Sequence, residues 1–168
     1  MTTPPMLRQL RHDVWGTETL LEHCRSLTPE QLELATPGTY GGIRKTLIHI
    51  VAADERYLSR FVTTCDPTLH EERNARASLD EIAAHLAHVK EGVERLFAGE
   101  ERFEPDRIID DQRRKLSIAA WVLVTQFAHH GSDHRAHIGT ILGAHGLPTA
   151  DIDVWRYGEE IGVVRPLG

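Results

Sequence analysis

The sequence predicts an all-α fold, a four-helix bundle with a C-terminal tail packed on it, and three observations predict it. Apolar residues recur at gaps of three and four in four separate stretches, each long enough for several helical turns. Segments carrying Pro or Gly separate these stretches, and no series of strands intervenes. The chain has 168 residues, 40% of them apolar and 26% charged, which suits a single globular domain over 1–168 with a core large enough to need no staples.

In the first stretch, Leu7, Leu10, Val14, Thr17, Leu21 and Cys24 form one buried helical face. Thr28, Pro29 and Gln31 then combine a capping threonine, a proline at the first helical position and a capping-box glutamine, so a short helical turn is expected there. The breaker-rich run from Thr36 to Gly42 reads as loop. Helix two is expected from Ile43 to about Cys65, where no Pro or Gly interrupts and Ile43, Leu47, Ile50, Tyr57 and Phe61 share a face. Ile48, Val51, Leu58 and Val62 lie on its other side. This apolar excess implies a dimer contact or a covering tail segment.

Asp66-Pro67 ends that helix, and a polar loop runs to Ala77. Ser78 and Glu81 form a capping box for helix three, whose stripe is Leu79, Ile82, Leu86, Val89, Val93 and Leu96 before Gly99 stops it. Residues 100–115, charged and with only the brief apolar pair Ile108-Ile109, read as a long connection with some extended structure, and Arg113-Arg114-Lys115 as a solvated face. Helix four is expected from Ser117 to about His145, closed by Gly146 and Pro148. Its stripe is Ala120, Leu123, Phe127, His130, His134, His137 and Ile141, with histidines where hydrophobes belong. Trp155, Tyr157 and Ile161 give the tail enough apolar mass to fold back on the bundle.

Composition excludes several function classes. With 19 Lys plus Arg against 25 Asp plus Glu, net charge −6, nucleic acid is not an expected partner. No apolar run approaches the ~20 residues of a membrane-crossing helix and no export signal is visible, so neither a membrane nor an exported location is expected. Cys24 and Cys65 form no close-spaced motif, which suits a reducing cytoplasm.

The chain has 11 histidines, with His129, His130, His134, His137 and His145 crowded into one helix. His130 and His134, four apart, place their side chains on one face with roughly 5–6 Å between Cβ atoms, a spacing that can chelate one ion. A catalytic divalent site usually combines three protein ligands with an open position, so a third ligand must come from elsewhere. By sequence the candidates are His49, His85, His88, His137, His12 and His23, and periodicity does not choose among them. Hydrogen-bonded or exposed roles suffice for His12, His23, His70, His85, His88, His129 and His145. In an HExxH helix the general base follows the first histidine; here that position is Gly131. Asp133 could serve a proton transfer or simply be solvated. No GxSxG, GxGxxG or P-loop is present, which removes the usual serine-hydrolase and nucleotide readings.

The run Ile43-Arg-Lys-Thr-Leu-Ile-His49-Ile-Val-Ala-Ala-Asp54-Glu-Arg-Tyr57 resembles the second helix of DinB/YfiT-like proteins. Phe127-Ala-His-His130-Gly-Ser-Asp-His134-Arg135-Ala-His137-Ile resembles their H-x3-H-R-x-Q signature, with His137 in place of the usual glutamine. Thr28-Pro-Glu-Gln-Leu32 and Ile152-Asp-Val-Trp155-Arg-Tyr157-Gly-Glu159 are also similar to this family, so the resemblance spans nearly the whole chain. It implies a metal triad of His49, His130 and His134, with zinc or nickel as the ion, and a structural role for Arg135 beside a carboxylate. His137 and Tyr57 become candidates for the pocket, and a homodimer is the expected assembly.

The activity the resemblance implies is a metal-dependent transferase or isomerase using a low-molecular-weight thiol on a small electrophilic substrate. Three neutral imidazoles would leave a +2 charge uncompensated, favouring ionisation of a thiol or of water. A metal-dependent hydrolase and a non-catalytic metal-binding or stress-response module therefore stay open; a closed structural site would recruit His137 as a fourth ligand.

Overall fold

Residues 5–62, 65–100, 103–111 and 115–167 are described by a computed structural model. Four long helices make the bundle: α1 (Pro5–Cys24), α2 (Ile43–Leu58), α3 (Leu79–Ala98) and α4 (Ala120–Ala144). A two-stranded hairpin, β1 (Ile108–Asp111) and β2 (Leu116–Ala119), precedes α4, and a short α5 (Val154–Glu160) lies in the tail. Helices α1 and α2 each pack against both α3 and α4 and barely touch one another, so they occupy one diagonal of the bundle. The core is continuous, from Leu7, Leu10 and Val14 through Leu47, Ile50 and Val51 to Val89, Phe127 and Ile141.

Local chemistry sets the ends as the sequence predicts in several places. The Ser78 hydroxyl accepts from the Glu81 amide while the Glu81 carboxylate accepts from the Ser78 amide, and Gly99 ends α3 at φ 75°. Thr28 and Gln31 make the same reciprocal pair, although they cap only a single 3-10 turn, Gln31–Glu33, and not an α-helix.

Three expectations need correction. Helix two stops at Leu58, well before Cys65. No breaker residue marks this end; the Glu55 carboxylate accepts from the backbone amides of Thr68 and Leu69 at 2.9 and 2.8 Å and draws the chain back across the helix. The apolar excess on α2 is covered within the chain, since Ile48, Val51, Leu58 and Val62 are all buried. Gly92 of α3 provides the room: a Cβ there would come within 2.6 Å of Leu58. That surface therefore does not itself call for a second copy of the chain.

Helix four starts at Ala120, and Ser117 lies inside β2. Ile109 pairs with Ile118 and Asp110 with Ser117 in the antiparallel register, and the Ser117 hydroxyl donates to the Asp110 carboxylate at 2.6 Å. Pairing of backbone groups across the hairpin thus wins over an earlier helix start. Arg113 and Arg114 lie outside the described residues. The tail does pack back, through Tyr157 against Trp15 and His12 of α1, but Trp155 and Ile161 stay exposed.

Candidate metal centre

Helices α2 and α4 are neighbours along much of their length, and their facing turns carry the histidines. His49, His130 and His134 each offer one nitrogen to a group whose members lie within 4.8 Å of one another. The Nε2 atoms of His49 and His130 are 2.9 Å apart. The rings of His130 and His134 meet edge to face with centroids 4.5 Å apart, and those of His49 and His134 at 4.6 Å. All three rings are partly buried.

The donor set fits a divalent ion. Nitrogens about 2.0–2.1 Å from zinc at tetrahedral angles stand about 3.3 Å from each other, so small ring rotations would bring the trio to coordinating distance. Burial, then the neighbouring His134 and His49 rings and Arg56, pushes His130 down to about 4. Burial, then His49 and His137, does the same to His134, also to about 4. Both imidazoles are therefore neutral near pH 7, the state in which a ring nitrogen can coordinate.

Behind His49 stands a carboxylate that sequence reasoning missed. Glu71 Oε1 lies 2.9 Å from His49 Nδ1, a short but bent contact, and Glu71 Oε2 accepts from the Tyr40 hydroxyl at 2.6 Å. Tyr40 also stacks on His49, with ring centroids 4.0 Å apart. Burial works to raise the Glu71 carboxyl, but Tyr40, His49 and Arg56 outweigh it and hold the group below its ordinary range. Burial and the Glu71 hydrogen bond push Tyr40 up to about 12, so its hydroxyl keeps its proton and remains the donor. A carboxylate at Nδ1 favours the tautomer that turns the Nε2 lone pair toward the other rings, as outer-shell partners do for metal-binding histidines. Tyr40 is the single aromatic in a breaker-rich loop, a residue type that needs something to pack against; Glu71 gives no signal in the sequence at all.

The remaining candidates fall around this trio. His137 sits one turn beyond His134, centroids 5.2 Å apart, and is not among the three clustered nitrogens. Tyr57 approaches His130 edge-on at 5.9 Å. Among the other histidines, His12, His23 and His145 bond to the backbone carbonyls of Ile152, Pro148 and Ala35, and His85 to Glu55. Asp133 is exposed beside His129, the solvated outcome.

Directly beneath the site, Arg135 is buried against α1. Its Nη2 lies 2.7 Å from Asp13 Oδ1, and its Nη1 donates to the Asp13 carbonyl and the Thr17 hydroxyl. This anchor ties α4 to α1 immediately after His134, the structural role expected of Arg135. Gly16 and Gly131 make the space for it.

No curated protein matches the chain. A family model for the DinB family matches residues 1–161, nearly the whole sequence that builds this bundle and its histidine cluster, and the chain belongs to the DinB family.

Proposed function

We propose that this protein is a metal-dependent enzyme in which His49, His130 and His134 hold one divalent ion, zinc or nickel, and in which a low-molecular-weight thiol is transferred to an electrophilic small molecule. The observation that carries this reading is the convergence of three ring nitrogens within 4.8 Å from two different helices, with Glu71 placed behind one of them. A bound ion would act as a Lewis acid, lowering the pKa of a thiol that reaches its open side. The chain's own residues supply the rest: Glu71 orients His49, Arg135 and Asp13 fix the pitch of α4, and Tyr57 borders His130 edge-on.

Two features favour an enzyme over a closed structural site. His137 stands outside the trio, which leaves three protein ligands where a structural zinc site uses four. Both cysteines are buried, and burial pushes Cys24 up to about 12 and Cys65 up to about 11, so neither is a ready thiolate at neutral pH. A reacting thiol therefore comes from solution. Hydrolysis at the same ion would need the same three histidines; consumption of a thiol alongside the electrophile separates the two reactions.

Elemental analysis of protein purified without a histidine tag, wild type beside His130→Ala, tests the centre. The expected result is about one zinc or nickel per chain in the wild type and a large loss in the variant. Equal metal content in both rejects the assignment.

A further inference from the structure

A cleft of about 710 Å³ opens beside the histidine cluster, between the end of α2 and the segment that follows it. We propose that Arg56, Arg60 and Arg73, which line this cleft, form a subsite for an oxyanion group, carboxylate or phosphate, on the small molecule whose reactive end meets the three histidines. The proposal rests on the reading of that cluster as a small-molecule site.

The volume lies within the range of small-molecule pockets. Continuity with the cluster runs through α2 and Glu71. Arg56 follows His49 by seven residues, two turns of helix, and so projects from the same face. Arg56 Nη2 is 3.7 Å from Glu71 Oε1, the same oxygen that lies 2.9 Å from His49 Nδ1. Glu71 is thus shared by the two groups, its Oε1 lying near both His49 and Arg56.

The loose pairing of the cleft's three guanidiniums, and not its formal charge, favours an anion. Its acidic groups are Glu71 and Glu72, with Asp111 reaching Arg60 from the hairpin. Glu71 is already engaged by Tyr40, His49 and Arg56. Arg60 meets Asp111 at 3.4 Å and Arg56 meets Glu71 at 3.7 Å, both longer than the ~2.7–2.9 Å of a full charge-assisted hydrogen bond. Arg73 is exposed and makes no ion pair among the described residues. Three guanidiniums therefore border one concavity with donors to spare, and their planar forks match the oxygens of a carboxylate or a phosphate.

Calorimetric titration of the full chain at low ionic strength with succinate, and separately with inorganic phosphate, tests the subsite. It is run on the protein as purified and again after chelation. One saturable site per chain is expected in both states, the tighter probe identifying the oxyanion. Arg60→Gln and Arg73→Gln should each weaken binding by about tenfold, the usual scale for losing one charged donor, while Lys90→Gln on α3 leaves it unchanged. No saturable binding of either probe, unchanged affinity in both arginine variants, or binding that vanishes on chelation overturns the proposal. Metal content measured on the same arginine variants keeps the two readings apart: metal retained with anion binding lost supports the subsite, whereas anion binding by a wild-type chain that takes up no zinc or nickel when either is supplied refutes only the histidine centre.

Discussion

Gly131→Ala is a one-carbon change that should unfold this protein more readily, against the usual sign for glycine in a helix. Gly131 follows His130 on α4 and faces α1, where a Cβ would lie 2.5 Å from Asp13 Oδ2 and 2.8 Å from Arg135 Nη1. Neither group can easily yield: the Asp13 and Arg135 side chains are 1% and 3% exposed and paired at 2.7 Å. Overpacking of this kind costs about 1–3 kcal/mol. If Asp13 is driven off Arg135, breaking the buried pair costs about 3–5 kcal/mol. Alanine's better helix propensity returns about 1 kcal/mol. Because neither buried partner can give way without losing the other, the pair is expected to break, and the net loss is then about 2–4 kcal/mol, or about 5–15 °C in Tm for a chain of this size. Urea unfolding followed by far-UV circular dichroism measures it, with Gly139→Ala on the same helix as the control. A Cβ at Gly139 meets nothing within 4 Å, so that variant should gain up to about 1 kcal/mol. An unchanged or raised midpoint for Gly131→Ala would refute the close approach of α1 and α4. The same geometry explains why a glutamate, and with it an HExxH helix, cannot be housed at this position.

Glu71→Gln should lower metal affinity about 10–100-fold without removing a ligand, the usual effect of losing an outer-shell partner, as read by competition with a chromogenic chelator. Because His130 and His134 are pushed down to about 4, protons should compete for them only well below the ordinary imidazole range; metal content should hold at pH 6 and fall as pH approaches 4, and release already complete at pH 6 contradicts this. In metal-free protein the same two groups take up protons more readily when unfolded, so stability should be lost as pH falls from about 6.5 toward about 4, and the His130→Ala/His134→Ala double variant should flatten that limb of the denaturation profile. Asp54 is fully buried with no hydrogen-bond partner for its carboxyl among the described residues, and burial followed by the Asp13 charge raises its pKa well above the ordinary value. The unfolded chain therefore releases this proton first, and stability is lost as pH rises from about 4; Asp54→Asn should stabilise more at pH 8 than at pH 5, and an equal effect at both rejects the assignment.

The histidine cluster was only half legible in the sequence. His130 and His134 share one helix, so their meeting follows from the repeat of the backbone, and the surplus of polar rings on an apolar stripe marks them. His49 is 81 residues away from His130 and sits at the edge of its own stripe, where periodicity gives it no distinction from His85 or His137; resemblance to a family singled it out. Glu71 and Tyr40 come from segments with no periodic signal, and their part in the site depends on how Glu55 draws the chain back under α2. The end of α2 was illegible for the same reason: a carboxylate bonding to amides more than ten residues downstream stops it, which leaves no breaker in the local sequence.

By itself the sequence determined local features: four helices through their apolar repeats, the Ser78 and Thr28 caps, and a pair of histidines one turn apart on α4. Each follows from interactions spanning a few residues, which the order of side chains fully specifies. Packing decided everything that needed two segments to meet: the third imidazole, the carboxylate behind it, the arginine-lined cleft, the covering of α2 by α3, and the burial of Arg135 against Asp13. Those contacts depend on which helix faces lie together once the core is closed, a property of the whole chain that no local pattern carries.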